Sequence, residues 1–497
     1  MSNRVARNRV FIPHLGLVIV VLLFINPGIL CGQETPQTTD QKDQPPAGGG
    51  GPGPRILNLV QCVQIALEAD LSLRVAEQRR HQAEKDLMAA RGAFLPDLSL
   101  SRTEVKDKRT DFNVEQYDTQ VYSVGTIEGP ILTFPVQTPS GEVADETIKT
   151  SYDDWQASAN WNIFEGFGKW SSTKSAKNSV QSAKALEAYN RELVAQNVAT
   201  AYYNLLRFEV LLEVAEDTRD LAAKELERSE TYFRLGSAAK SDVLQARVRL
   251  ENTRLDVVVA NNAVEQAFAD LAYAMAQPLA QRFDIDRQPL ETEMALDDLN
   301  ALYAEAMLNR LDLKGQEFAV EAAKKDVTTA TANLWPRLDL FASYVRYNNE
   351  SPFRFGSQES QNFRYGYRVT WNIFDRLQTV AGRSIAKANK RIAEYTLEQQ
   401  RLDTQREIRQ LYNNLVEARE RLQVSRETII QSQEELRLAQ ERFRVGAGTS
   451  IDRILAEVNL ATARGDEVQA ICDFLIGRVQ LNRAVGRISR ILEQISS

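Results

Sequence analysis

Histidine is almost missing from this sequence, cysteine is scarce, and basic residues are outnumbered by acidic ones. The two histidines, His14 and His81, cannot assemble a metal cluster. Three cysteines, Cys31, Cys62 and Cys472, are too few for a disulfide framework. With 60 Lys and Arg against 67 Asp and Glu, the chain lacks the basic stripe that nucleic-acid binding needs. Proline and glycine are absent from Ser171 to Tyr232, so nothing there punctuates a helix. No residue pattern points to covalent chemistry, a cofactor or a metal, so an enzyme is not expected.

The amino terminus reads as a cleaved secretory leader, residues 1–32. Arg4, Arg7 and Arg9 precede the apolar run Leu15–Ile25, and Gly32 is a small residue before a cleavage point. Asn26-Pro27-Gly28 cuts that run short of the ~20 apolar residues a membrane anchor needs. A lipidated Cys31 is the alternative, although Leu30 stands where such sites want a small side chain. Loss of the three leading arginines leaves 57 basic residues against 67 acidic ones, a net charge of −10. Residues 33–55, with Ala47-Gly48-Gly49-Gly50-Gly51-Pro52-Gly53-Pro54, cannot bury apolar surface and are expected to be a disordered linker.

Beyond the linker the chain is written twice. Trp161-Asn162-Ile163-Phe164 recurs as Trp371-Asn372-Ile373-Phe374, an offset of 210, and Phe233-Arg234-Leu235-Gly236 recurs as Phe443-Arg444-Val445-Gly446. Asp242 falls on Asp452 at the same offset. Leu95-Pro96 and Trp335-Pro336 are 240 apart, so the first half carries 30 extra residues between its Pro and its Trp. One architectural unit is duplicated, with repeats at 56–286 and 287–491 and a tail at 492–497.

After each Trp the period is helical. The seam Val194, Val198, Ala201, Leu205, Phe208, Leu212, Ala215 steps by four and three, and its counterpart is Ile408, Leu411, Leu415, Ala418, Leu422, Ser425, Ile429. Helices of this length, ~90 Å at 1.5 Å per residue, demand coiled-coil partners. A Gly turn ends each, and a second helix returns, with seams through Val243, Ala246, Leu250 and Thr253 and through Ile454, Val458, Ala461 and Gly465. Cys472 on the latter reads as a small packed hydrophobe.

Before each Trp the period is two. Trp155, Ala157, Ala159, Trp161 and Ile163 alternate with polar residues, as do Phe363, Tyr365, Tyr367, Val369, Trp371 and Ile373. Leu98 onward and Leu338 onward supply one further strand each, after Pro96 and Pro336. Each half thus supplies two strands of ~10 residues with one apolar and one polar face, the pattern of a membrane barrel. A small soluble sheet over a helix is the alternative, but no spare amphipathic helix is available to cover it. Four strands cannot close, and open edges in hydrocarbon strand backbone groups at several kcal/mol apiece. The chain must therefore oligomerise; two copies give eight strands and three give twelve.

The ordered, twice-repeated set of Leu95-Pro96-x-Leu98 and Trp335-Pro336-x-Leu338, the Trp-Asn-Ile-Phe strand ends and the two Gly turns resembles the TolC-type outer-membrane efflux protein family. The resemblance covers about Ile56 to Ile491. It implies an α+β membrane protein, mostly long α-helical coiled-coil hairpins forming an α-barrel. Each protomer would add four strands to a trimeric 12-stranded transmembrane β-barrel, with an internal two-fold repeat. Short helices at Leu57–Ala69 and Leu299–Asn309 would ring its waist. It further implies a homotrimer in the outer membrane, in contact with lipid and extending into the periplasm. That trimer would be a passive exit duct docking a periplasmic adaptor protein and an inner-membrane RND or ABC pump.

By the same resemblance, Arg234, Leu235, Gly236 and Ser237 and Arg444, Val445, Gly446 and Ala447 are adaptor-docking tips. Asp452, Leu455, Asp242 and Phe443 would form the gate of the periplasmic aperture. Leu455 stands where a second acidic ring is common, and Phe443 and Gly448 stand where a family member has a tyrosine and an arginine lock. The closed tip would then rest on apolar contact and different polar pairs. For Asp242 and Asp452 helix capping is an equally simple role. Two rivals remain, a periplasmic adaptor with one long hairpin and a soluble coiled-coil scaffold. The 30 extra residues are expected to enlarge a loop between Lys106 and Tyr152.

Overall fold

The structure, a computed structural model, describes residues 55–124, 132–280, 282–287, 296–350, 358–445 and 447–488. The leader, the linker up to Pro54 and the tail lie outside the described residues. Arg55, counted above with the linker, begins strand β1 (Arg55–Leu57).

The first half continues with α1 (Leu59–Ala69), α2 (Leu71–Gly92), β2 (Asp97–Val124), β3 (Leu132–Glu165), α3 (Gly168–Arg234) and α4 (Lys240–Ala274). The second runs β4 (Phe283–Ile285), α5 (Leu299–Asn309), α6 (Leu311–Ala330), a 3-10 turn at Ala332–Leu334, β5 (Arg337–Glu350), β6 (Gln358–Thr370), α7 (Gln378–Arg444) and α8 (Ser450–Val485). Helices α3 and α7 each have 67 residues, about 100 Å at 1.5 Å per residue. Among the described residues no helix is long and apolar enough to cross a membrane. The strand-to-helix corners repeat too: Gly166 and Phe167 have φ of 58° and 66°, and Arg376 and Leu377 have 56° and 66°.

The long helices pair as antiparallel hairpins, α3 with α4 and α7 with α8. Val194, Val198 and Leu205 of the expected seam are buried, as are Ile408, Leu415, Ala418, Leu422 and Ser425. Each fully buried Leu or Ile contributes roughly 2 kcal/mol. The start of α8 departs from expectation. Its buried row is Arg453, Ala456, Leu460 and Ala463, while Val458 is exposed and Ile454 only half-buried. Apolar residues occupy both flanks of this helix, so periodicity alone selected the wrong one.

At the waist β1 and β4 pair in parallel, Ile56 opposite Asp284. Helix α1 buries Cys62, Val63 and Ala66 against Tyr202, Leu205, Phe268 and Leu271. Helix α5 buries Leu302 and Ala306 against Ile408, Phe474 and Leu481. Cys62 and Cys472 are free and buried, and desolvation pushes the Cys62 thiol up to about 11.

The four long strands form one antiparallel sheet in the order β2-β3-β5-β6. Its outer edges, β2 and β6, have no partner strand among the described residues. The extra residues of the first half are not a loop. They lengthen β2 to 28 and β3 to 34 residues, against 14 and 13 for β5 and β6. β3 pairs with β5 only from Ser151 to Glu165, whereas β2 and β3 stay paired out to Val124 opposite Leu132. A two-stranded ribbon therefore projects beyond the sheet. Its Pro135, Pro139 and Gly141 and its polar residues resemble loop composition, but cross-strand hydrogen bonds satisfy the backbone just as well.

Candidate functional site at the helical tips

The turns expected to dock a partner lie together at the end of the helices remote from the sheet. At the first, Gly236 has φ of 75°, a conformation that suits glycine. The Gly236 amide donates to the Phe233 carbonyl at 3.0 Å and the Ser237 amide to Tyr232 at 2.8 Å, closing the last turn of α3. At the second, the Ala447 amide donates to the Arg442 carbonyl at 2.9 Å; Gly446 lies outside the described residues. Leu235 and Val445 are both exposed at the turns, where apolar side chains gain nothing from water. Arg234 donates to the Thr231 hydroxyl at 3.1 Å, and Arg444 reaches Glu441 at 2.9 Å. Both arginines stay in solvent, where such pairs contribute little.

Both acids cap helices. Asp242 accepts the Ala239 amide at 3.2 Å. Asp452 forms a reciprocal capping box, accepting the Thr449 amide at 3.0 Å while the Thr449 hydroxyl accepts the Asp452 amide at 3.2 Å. The Thr449 hydrogen bonds hold the Asp452 carboxyl below the usual carboxylate range. The capped acid still faces water. Asp452 shares an exposed side of α8 with Ile451, Leu455 and Val458.

Phe443 turns the other way, toward a residue that sequence reasoning missed. Arg453 is 1% exposed, the largest fully buried side chain of the described molecule. Its guanidinium lies 4.7 Å from the Phe443 ring centroid and pairs with buried Glu225 of α3. Next to it Arg249 of α4 donates to the Ile454 carbonyl at 3.2 Å and pairs with Glu457 at 3.5 Å. Burial lowers the pKa of both arginines. These contacts tie the start of α8 to both helices of the first hairpin. The available signal was Glu225, an acid three residues past the buried Ala222 on the α3 seam.

A second charged knot lies at the waist. Arg310, between α5 and α6, forks onto Asp312 with two 2.9 Å hydrogen bonds and reaches Glu407 of α7 at 2.6 Å. Arg483 of α8 also pairs with Glu407 and donates to Gln196 of α3 at 2.7 Å. Both knots are charge-balanced within the chain.

Comparison with known proteins fits this geometry. The family description "Outer membrane efflux protein" matches residues 62–277 and 302–487, so its two matches begin 240 and end 210 positions apart. The outer membrane protein TolC of Vibrio cholerae serotype O1 is 21% identical over 435 residues, 87% of this chain and 91% of that protein. The pyoverdine export outer membrane protein OpmQ of Pseudomonas aeruginosa is 23% identical over 333 residues, 66% of this chain and 69% of that one. The CmeC outer membrane channel of Campylobacter jejuni superposes with a TM-score of 0.69 at 16% identity, over 88% of this chain and 89% of its own. The outer membrane protein VceC of Vibrio cholerae gives 0.66 at 17%, over 86% and 96%.

Proposed function

The chain belongs to the outer membrane efflux protein family, and from that premise we propose that three copies together form one exit duct. It is an outer-membrane channel protein of an efflux system, extending into the periplasm, and its family and structural neighbours are channels rather than enzymes. The proposed trimer closes twelve strands in the membrane and continues as twelve long helices.

The observation that carries this reading is the sheet with two open edges, β2 and β6. Tyr365, Tyr367, Val369 and Leu340 are exposed on its apolar face. In hydrocarbon each unpaired edge group costs several kcal/mol, so only closure with further copies removes the penalty. A periplasmic adaptor would carry one long hairpin; here there are two.

The tips, Arg234–Ser237 and Arg444–Ala447, dock a periplasmic adaptor and through it an inner-membrane RND or ABC pump that supplies the energy. Exposed Leu235 and Val445 at the turns support this role. Asp452 and Leu455 face the aperture, with Asp242 nearby. Phe443 acts indirectly, by holding Arg453 and hence the first turn of α8.

Cell fractionation followed by electrophoresis of unheated and heated samples tests the reading. The expected result is outer-membrane sedimentation and a trimer that dissociates only on heating. A monomer in the soluble periplasm would overturn it.

A further inference from the structure

The two faces of the sheet part in charge where the β2–β3 ribbon leaves it. Residues directly opposite in a ladder share a face. On the apolar face Leu100 lies opposite Ala157 and Arg102 opposite Trp155, which on its other side faces Arg346 of β5. Trp155 and Tyr344 are exposed there. The Arg102 guanidinium lies 5.3 Å from the Trp155 ring centroid. Aromatic rings that end an apolar belt, with arginine beside them, mark the edge of hydrocarbon.

Beyond that edge the same face turns basic. Arg102 is still matched by acids, Asp153 at 3.0 Å and Glu104 at 3.6 Å. Next come Lys106 opposite Ser151 and Lys108 opposite Lys149. Lys106 reaches Glu104 at 3.0 Å but is 78% exposed, so that pair contributes little. Lys108 is exposed as well, and the register sets no acid beside it. Lysines directly opposite each other destabilise a ladder, and an anion between them reverses the effect. Along Val105–Asp111 and Glu146–Tyr152 this face holds three cations and no acid, Lys106, Lys108 and Lys149. The reverse face of the same stretch holds three acids, Asp107, Asp111 and Glu146, and one cation, Arg109. Solubility alone favours both signs interspersed and gives no reason for such sorting.

We infer that Lys106, Lys108 and Lys149 bind the phosphate groups of outer-leaflet lipid, with one such patch on each copy. Lys106 and Lys108 stand four and six residues beyond Arg102. At ~3.4 Å per residue and a strand tilt of ~40°, they lie about 10 and 15 Å above the hydrocarbon edge. At that height the nearest anions outside a barrel are the headgroups of the lipids packed against Leu100 and Trp155. The patch prolongs the lipid-facing side without a break. Ammonium groups act as point charges and take phosphate without a fixed geometry. Binding would also cancel the repulsion between Lys108 and Lys149 and stiffen the base of the ribbon. The inference rests on the membrane barrel proposed above and names the headgroup chemistry that its outer rim takes.

The full-length trimer, purified in detergent, tests it when offered lipid A with its phosphates, lipid A stripped of them, or inorganic phosphate. Native mass spectrometry measures the lipid retained. Near an anionic lipid surface each lysine is worth about fivefold in binding. The phosphorylated form should therefore be retained at least about fivefold better than the stripped form. The combined Lys106→Gln, Lys108→Gln and Lys149→Gln variant should lose at least about tenfold. Arg109→Gln, on the reverse face, should lose less than about twofold. Glu104→Gln releases Lys106 and should raise retention, a gain that no folding defect produces. Equal retention of the two lipid forms, an unchanged triple variant, or an equal loss in Arg109→Gln would overturn the patch. Displacement of the lipid by inorganic phosphate at the same concentration would make this a free-anion site and overturn the lipid assignment. Absence of any trimer in the unsubstituted protein would instead remove the barrel on which the inference rests.

Discussion

The two halves share a backbone plan and differ in how they hold their joints. Where α1 meets α2, Asp70 makes local contacts, accepting the Leu73 amide at 2.9 Å and the Ser72 hydroxyl; the joint is held by the apolar cluster around Cys62, Tyr202 and Leu271. At the equivalent place between α5 and α6 the residue is Arg310, the centre of a buried ionic knot. The partner positions diverge likewise, with Arg483 buried and its counterpart Tyr273 exposed. At the tips buried Arg453 answers to half-buried Val243. The backbone hydrogen bonds of both halves do not depend on these side chains. Each joint can therefore be held by apolar or by ionic contact. The ionic version differs in its vulnerability, because removing one partner leaves an uncompensated buried charge.

Mutating equivalent positions should separate the two designs. Arg310→Ala leaves Asp312 and part of Glu407 without a buried partner and should cost about 3–5 kcal/mol. Its counterpart Asp70→Ala loses one cap, about 1 kcal/mol. Denaturation in detergent measures both, and equal losses would erase the distinction. At the strand-to-helix corners, Gly166→Ala should cost at least ~2 kcal/mol, because a Cβ at φ 58° would lie 2.3 Å from the Ala332 carbonyl. Arg376→Gly relieves the left-handed conformation in open surroundings and should stabilise by up to ~1 kcal/mol.

The joints should also differ in pH response. Arg310 and the Gln400 amide hold the Asp312 carboxyl below the usual carboxylate range, against its burial. A depressed folded value means this stabilisation is complete above the unfolded value, ~3.9, and is lost as pH falls through the folded one. Below about pH 4 hydrogen exchange should therefore accelerate at the α5–α6 joint before the α1–α2 joint; simultaneous opening would count against the knot. The smallest contrast is at the tips. Asp452→Ala and Asp242→Ala should each cost about 1 kcal/mol as lost caps. Asp452→Ala should additionally reduce cation selectivity in a planar bilayer, and unchanged selectivity would leave it a cap alone.

Much of this was legible in local pattern. The extent of α3 followed from the missing Pro and Gly between Ser171 and Tyr232, the strands from alternation before Trp161 and Trp371, and the helix-to-strand junctions from Pro96 and Pro336. The tip residues were located by the same repeats, and their caps by an acid in the first helical turn. Arg453 was not, because its sign of importance is burial, and a charged side chain beside apolar neighbours gives periodicity no reason to select it. The ribbon of β2 and β3 was missed for the opposite reason: turn residues are scored locally, while its strands are held by each other across 28 and 34 residues.

By itself the sequence determined the repeated unit, the helix lengths, the faces of the strands and the incompleteness of the sheet, because each depends on spacing along the chain. Tertiary structure decided which flank of α8 is buried, which charges meet, and whether a stretch becomes strand. Trp-Asn-Ile-Phe is extended and paired in one copy and unpaired in the other. The four residues are identical; what differs is the neighbour that takes their backbone hydrogen bonds.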